Sequence, residues 1–358
     1  MITKQRDTSI DIIRGIAIFI MLGANVVGYV ASCELHPLWF DVFSSFAAPI
    51  FVLLSGYMVA INSSKKHDSL SYYLIRGGML VLTAALVDVL IWNLLPFSTF
   101  DVLYVIGLGM PIVYLLEKKS LWVKTGFIAV VLAVTVFLRY KWEYMEFPME
   151  IEFLSGNADY SDFTLFNVIK ALLYDGWFPL FPWIAVPVLG SIFAHLRKKA
   201  ENNFANFKVI IMGILLTIAG FVWLYFGYTG EHAFDALVKR DPYGELFYPT
   251  TIPFFIGAFG VALLVFAIVD KTRNAVVWKP LTIFGQTSLF NYILHSAIVA
   301  YVVIPVFNFE EEGLYSLNMG WLVYGLLLII SFLLSWSVVA MKKKVKTTNF
   351  FFNFYFGG

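Results

Sequence analysis

Cysteine is almost missing: Cys33 is the only one in 358 residues. A lone thiol excludes an intramolecular disulfide framework and any cysteine-based zinc cluster. Beside His36 it reads either as a reactive thiol or, more simply, as small packing filler at a helix end. Other chemistry-bearing patterns are absent too. There is no HExxH, no carboxylate–histidine pair at ligand spacing, no P-loop and no dinucleotide-binding glycine fingerprint, so no metal site is expected. Charge is scarce, at 14% of residues against roughly a quarter in soluble domains. A net charge of +1 says nothing about nucleic acid, and no basic, aromatic-interleaved patch argues for it, so no nucleic-acid partner is expected.

What fills the chain is apolar: 60% of residues are hydrophobic and 18% aromatic. Apolar runs of about twenty residues recur along the whole length, as spanning helices require. The expectation is an all-α, polytopic integral membrane helix bundle with about ten spans. They fall near 10–31, 41–61, 72–94, 98–116, 121–138, 178–196, 208–228, 248–270, 283–306 and 318–341. With both termini cytoplasmic, twenty of the 25 basic residues fall on inner segments. Only Arg139, Lys141, Lys170, Lys239 and Arg240 fall outside. That bias matches the positive-inside rule, and an odd number of spans would scramble it.

The first apolar run continues from Ile10 to Val30 without a small-residue cleavage site, and is expected to stay as a helix. One integral domain over 1–358 is the economical description, set in the cell's inner or plasma membrane if the source is bacterial. The long 139–177 outer loop then forms a cap. That loop is acidic, as are the segments carrying Glu231, Asp235, Asp241, Glu245 and Glu310–Glu312. A solvated negative exterior is the simpler explanation, and attraction of a cationic substrate such as an amino sugar is the functional one. The terminal NFFFNFYFGG reads as an interfacial anchor against membrane lipid.

The first span is the unusual one. Asp11, Arg14, Ile18, Met21 and Asn25 follow steps of 3, 4, 3 and 4, which puts them on one stripe. Ionisable and amide groups cost free energy in hydrocarbon, so the stripe faces protein. An interfacial Asp11–Arg14 pair with Asn25 bonded to a neighbouring helix would also account for it. His36 follows at the outlet of the stripe, with Trp39 and Asp41 just beyond. Histidine is the side chain whose ordinary pKa suits proton transfer near neutrality.

Three other places hold polar groups. Asp88 lies inside the apolar third span, with Asn93 near its outer end. Asp101 and Tyr104 open the fourth, where Asp101 reads as a helix N-cap. The sixth span, DGWFPLFPWIAVPVLG, carries Pro179, Pro182 and Pro187, and a proline-broken span lines a cavity. Trp177 and Trp183 sit there as cavity-wall or membrane-belt aromatics. In the ninth, Ser288, Asn291, Tyr292, His295 and Ser296 share a face, either as hydrogen-bonded packing or as ligand contacts. His67, His195 and His232 look ordinary.

These motifs, in order, are SIDIIRGIAIFIMLGAN (9–25), LHPLW (35–39), APIFVLLSG (48–56), FDVLYVIGL (100–108), WFPLFPWIAVPVLG (177–190), YPTTIPFFIGAFG (248–260) and FGQTSLFNYILH (284–295). In them the chain resembles the heparan-alpha-glucosaminide N-acetyltransferase-like family, within the wider transmembrane acyltransferases. The resemblance implies transfer of an acetyl group from acetyl-CoA to the amino group of a terminal glucosamine. It implies that His36 acts at the transfer step, as base or as acylated nucleophile, with Asn25 beside it. Asp11 and Arg14 match the acid and arginine opening the first span, and His295 matches the late histidine. Asp11, Arg14, Asn291 and His295 are then expected to serve the acetyl-CoA donor. Trp39, Asp41 and Trp183 are expected to serve an amino sugar or glycan acceptor, in a protein whose relatives often dimerise. Two departures concern the acceptor: Ser45 stands where the family often has an acid, with Asp41 one turn earlier, and the glycine-rich loop after the first span is reduced to NVVGY. Two competing readings are a transporter for a small polar or lipid-linked molecule and a purely structural or lipid-binding membrane protein.

Overall fold

The structure is a computed structural model that describes residues 7–31, 35–64, 68–141, 148–154, 160–227, 246–247, 250–307, 315–344 and 350–356. Cys33, Glu34, His67, His232 and the acidic residues Glu143, Glu146, Asp159, Glu231, Asp235, Asp241, Glu245 and Glu310–Glu312 lie outside the described residues.

The described chain is helical, with no strand. Helix α1 (Thr8–Val30) starts where the Asp7 carboxylate accepts the Ser9 N–H, and is followed by α2 (Leu38–Ser44), α3 (Ala47–Ser63) and α4 (Leu70–Val87). A π turn, Asp88–Trp92, extends α4, and Asn93 then ends it in the left-handed region at φ 54°. Next come α5 (Val102–Glu117), α6 (Leu121–Lys141), α7 (Leu165–Lys170), α8 (Leu180–Trp183) and α9 (Ala185–Lys199). The chain continues through α10 (Phe207–Gly227), α11 (Ile252–Thr272), α12 (Lys279–Gln286), α13 (Ser288–Ile298), α14 (Ile304–Phe307), α15 (Leu317–Lys344) and α16 (Phe350–Phe356). Among the described residues nine helical stretches are long and apolar enough to cross a membrane, and α5 supplies a shorter apolar helix at the fourth expected span. The chain is a multi-pass integral membrane protein.

Two spans differ from the expected continuous helices. The sixth is broken between Gly176 and Ile184, where Phe181 leaves helical geometry. Pro179 and Pro182 flank that break. Pro187 does not contribute to it: it lies in the first turn of α9, where backbone N–H groups have no helical partner anyway. The ninth is broken at Thr287, whose φ and ψ of −126° and 33° separate α12 from α13. The expected 139–177 loop contains α7 and a π turn, Ala171–Asp175.

Contacts divide the chain into two compact units, Phe51–Asn202 and a second made of Met1–Ile50 with Asn203–Gly358. In Phe51–Asn202, Tyr104 donates to Asp88 Oδ2 at 2.6 Å, and both residues are buried. Asp101 caps α5 as expected, its carboxylate accepting the Val102 N–H. Outside the helices, Trp177 and Phe178 donate their N–H groups to Thr99 and Phe100 at 2.8 Å each. The Leu95 N–H reaches the Ile151 carbonyl at 2.6 Å. The Asp88–Tyr104 bond joins α4 to α5 where neither group meets water, so Tyr104→Phe strands a buried acceptor. The expected cost is about 1–3 kcal/mol, read as a lower midpoint of thermal unfolding in detergent, since phenylalanine keeps the ring and removes only the hydroxyl.

In the other unit, α1 is enclosed by α11, α12, α13 and α15. Ile12, Ile13, Ile18, Leu22, Val26 and Val27 are all fully buried, so apolar side chains on several faces of this helix meet protein. With its apolar faces buried as well, α1 is enclosed by protein on its polar stripe and beside it. Gly15 and Gly285 let α1 and α12 touch backbone to backbone: a Cβ on Gly15 would lie 1.8 Å from the Leu281 carbonyl oxygen, and one on Gly285 1.8 Å from that of Asp11. At the far end of the chain, α16 returns to α13, with Phe356 against Phe290 at 5.6 Å and Lys342 Nζ donating to the Phe356 carbonyl at 2.9 Å.

Candidate functional site

Eight of the nine residues singled out from the sequence belong to the unit built around α1, and they form three groups along it. At the start of α1, Arg14 Nη1 lies 3.8 Å from Asp11 Oδ1 and 3.4 Å from the Gly285 carbonyl oxygen, to which it donates. The Asp11–Arg14 pair is one helical turn, as the spacing requires. The Gly285 contact ties it to α12 at the point where the two backbones meet. Asp11 is buried, and Arg14 is about one-fifth exposed at its side chain.

The second group lies mid-span. Asn25 Nδ2 is 2.8 Å from His295 Nε2, and His295 Nδ1 is 3.1 Å from the Asn291 carbonyl oxygen. The Asn25 amide can only donate through its nitrogen and the carbonyl can only accept. These partners therefore place the His295 proton on Nδ1 and the lone pair on Nε2. Asn291 donates to Thr287 Oγ1 and carbonyl at 2.9 and 3.0 Å and to Ser335 Oγ at 2.8 Å, and accepts from Ser335 at Oδ1. Asn291, His295 and Ser335 are all buried. Every member holds a partner on another element, so one polar chain links α1, α13 and α15. This is the arrangement that buried polar groups need.

The third group follows α1. His36 Nδ1 lies 3.4 Å from Asp41 Oδ1, and the His36 side chain is 2% exposed. Among the described residues, His36 Nε2 is buried with no hydrogen-bond partner. The ring meets Phe40 edge-on at 5.3 Å, and Phe40 in turn meets Trp321 of α15 at 5.0 Å. Asp41 is held by its backbone: Ser44 and Ser45 both donate to its carbonyl oxygen, at 3.0 and 2.6 Å. Ser45 Oγ also accepts the Leu246 N–H at 2.7 Å, so the serine that replaces the expected acid braces the turn behind Asp41. Trp39 stacks on Trp321 at 5.7 Å with 61% of its surface exposed. With Leu35, Leu38 and Phe43 also exposed, the outward side of α2 is apolar and aromatic.

Asn25 thus pairs with His295, and Asp41 is the group beside His36. Trp183, the ninth residue, belongs to the Phe51–Asn202 unit, where it is fully buried with its ring 4.8 Å from Phe178. Sequence reasoning passed over Ser335, Thr287 and Trp321. Ser331 and Ser335, four apart in an otherwise apolar span and both fully buried, are the signal that would have found the first.

Comparison with known proteins adds to this geometry. Residues 6–220 match the family profile described as heparan-alpha-glucosaminide N-acetyltransferase, catalytic. Residues 194–344 match a second profile, described as a protein of unknown function (DUF418). No curated protein matches the chain. The first match covers more than half of the residues and includes α1, Asn25, His36 and Asp41, and the second takes in Asn291 and His295. The chain therefore belongs to the heparan-alpha-glucosaminide N-acetyltransferase family of membrane acetyltransferases.

Proposed function

We propose that this protein moves an acetyl group from acetyl-CoA on the cytoplasmic side to the amino group of an amino sugar, or of a cell-surface glycan bearing one, on the outer side. The observation that carries this reading is the enclosed His36 imidazole, with one nitrogen against the Asp41 carboxylate and the other buried without a partner among the described residues. Amide formation from a thioester needs a base for the amine proton, a water-poor site and donors for the developing oxyanion. A dry imidazole oriented by a carboxylate answers the first two needs.

His36 Nε2 takes the proton released as the acceptor nitrogen bonds to the thioester carbonyl carbon. It returns that proton to sulfur as the carbon–sulfur bond breaks, so the imidazole ends as it began. Asp41, its Oδ1 3.4 Å from Nδ1, offsets the charge while Nε2 carries the proton. Trp39, exposed beside this pair, offers a flat apolar face to a sugar ring. The donor supplies the acetyl group and approaches along the α1 stripe. Asp11 and Arg14 stand at its cytoplasmic entrance, and the Asn25–His295–Asn291 chain lines the middle. His295, whose two nitrogens are both occupied, serves in positioning, and the buried Nε2 of His36 is the reacting atom.

The test uses purified full-length protein in detergent with acetyl-labelled coenzyme A, offered glucosamine, other amines and sugars bearing only hydroxyls. Label is expected in a stable amide on glucosamine and not on the hydroxyl sugars. Transfer to no acceptor, combined with passage of a labelled solute across vesicles containing the protein, would make transport the function and overturn this reading.

A further inference from the structure

At the start of α1, away from His36, a cavity of about 570 Å³ is bounded by α1, the turn between α11 and α12, α12 and α15. Arg273 and Lys279 both line it, both are exposed, and no carboxylate is among the described residues that line it. Trp278 and Trp336 supply aromatic walls, and Thr282 and Gln286 supply neutral polar groups. The turn that carries the two cations is fixed by its own bonds: Trp278 Nε1 donates to Thr272 Oγ1 at 3.1 Å and Thr282 Oγ1 to the Trp278 carbonyl at 2.9 Å. The rim of the same turn is apolar and bare, with Val276 and Val277 about 70% exposed, and Trp336 is more than half exposed on α15.

Two cations over apolar, tryptophan-bearing walls, beside valines turned outward, is the chemistry of the membrane–water boundary on the side that the charge bias assigns to the cytoplasm. A water-soluble anion would answer the cations and leave the valines and Trp336 in water. A lipid answers both. We infer that this cavity is a binding site for an anionic phospholipid of the inner leaflet, its phosphate between Arg273 and Lys279 and its glycerol and acyl region against Trp278 and Trp336. The inference is independent of acetyl transfer.

The test places full-length protein in phosphatidylcholine nanodiscs holding a little phosphatidylglycerol with a photoactivatable acyl chain, followed by peptide mapping. Crosslinks are expected on the segments carrying Trp278 and Trp336. Unlabelled phosphatidylglycerol should compete them away, and phosphatidylcholine should not. Each basic side chain near an anionic surface strengthens association about fivefold, so Arg273→Ala with Lys279→Ala should weaken competition about 30-fold. Arg273→Lys with Lys279→Arg should restore it. Equal competition by phosphatidylcholine, or labelling unchanged in the double alanine variant, would overturn the site. Protection by 3′,5′-ADP but not by phosphatidylglycerol would reassign the cations to a nucleotide phosphate and overturn the lipid assignment. If the double alanine variant fails to assemble, the competition series on the unaltered protein decides alone.

Discussion

His36→Ala is expected to lower acetyl transfer by about 10²–10⁴-fold, the usual contribution of a positioned general acid–base group, while the protein still assembles in the membrane. Separating these two outcomes needs an assembly measurement beside the assay, because the His36 side chain is buried against Phe40 and Asp41. Among the described residues its Nε2 has no partner, so truncation strands no donor or acceptor at that nitrogen. Asp41→Asn gives the complementary measurement. It keeps the shape and the backbone bonds from Ser44 and Ser45, and removes the charge that offsets a protonated imidazole. A smaller loss than in His36→Ala is expected, confined to kcat, because Asp41 acts through the ring. Full activity of His36→Ala in the labelled-acetyl assay would remove the mechanism. Activity lost only together with membrane assembly would be explained by folding, and gel filtration in detergent distinguishes the two.

The parts of this site that could be read from the chain alone are those whose partners are close in sequence. Asp11 and Arg14 meet because residues three apart share a helix face. His36 and Asp41 also lie close in the chain, but their spacing follows no helix or ligand pattern, and only the fold sets one against the other. The spans were legible for a similar reason: hydropathy and the inside bias of lysine and arginine are one-dimensional signals. The partners of Arg14 and Asn25 were not. Gly285 lies 271 residues from Arg14 and His295 lies 270 from Asn25, and periodicity on α1 says only that some protein must face the stripe. The family resemblance sets Asn25 beside His36, whereas the fold brings His295 to it, as a bond to a neighbouring helix. The break at Thr287 was hidden because no proline or glycine marks it; Gly285 lies two residues earlier and serves close packing instead. Conversely, Pro187 advertised a break that its place in the first turn of α9 makes unnecessary.

Gly285→Ala is expected to destabilise the protein by about 3 kcal/mol, at the upper end of what overpacking costs. Exchanging glycine for alanine inside a helix normally gains about 1 kcal/mol, so the sign depends on what the new methyl meets. Here it meets the Asp11 carbonyl oxygen at 1.8 Å, the Asp11 carbonyl carbon at 2.7 Å and the Gly15 nitrogen at 3.0 Å. All three are backbone atoms, and no rotamer can move them aside. Relief requires α1 and α12 to separate, which lengthens the 3.4 Å bond from Arg14 to the Gly285 carbonyl and opens the reciprocal contact at Gly15. Gly325→Ala is the control, because a Cβ there has nothing within 4 Å and α15 should gain the ordinary propensity benefit. Thermal unfolding of both variants in the same detergent compares them directly. A Gly285→Ala protein as stable as Gly325→Ala would mean that α1 and α12 do not touch through these glycines, and the bond from Arg14 to the Gly285 carbonyl would fall with that contact.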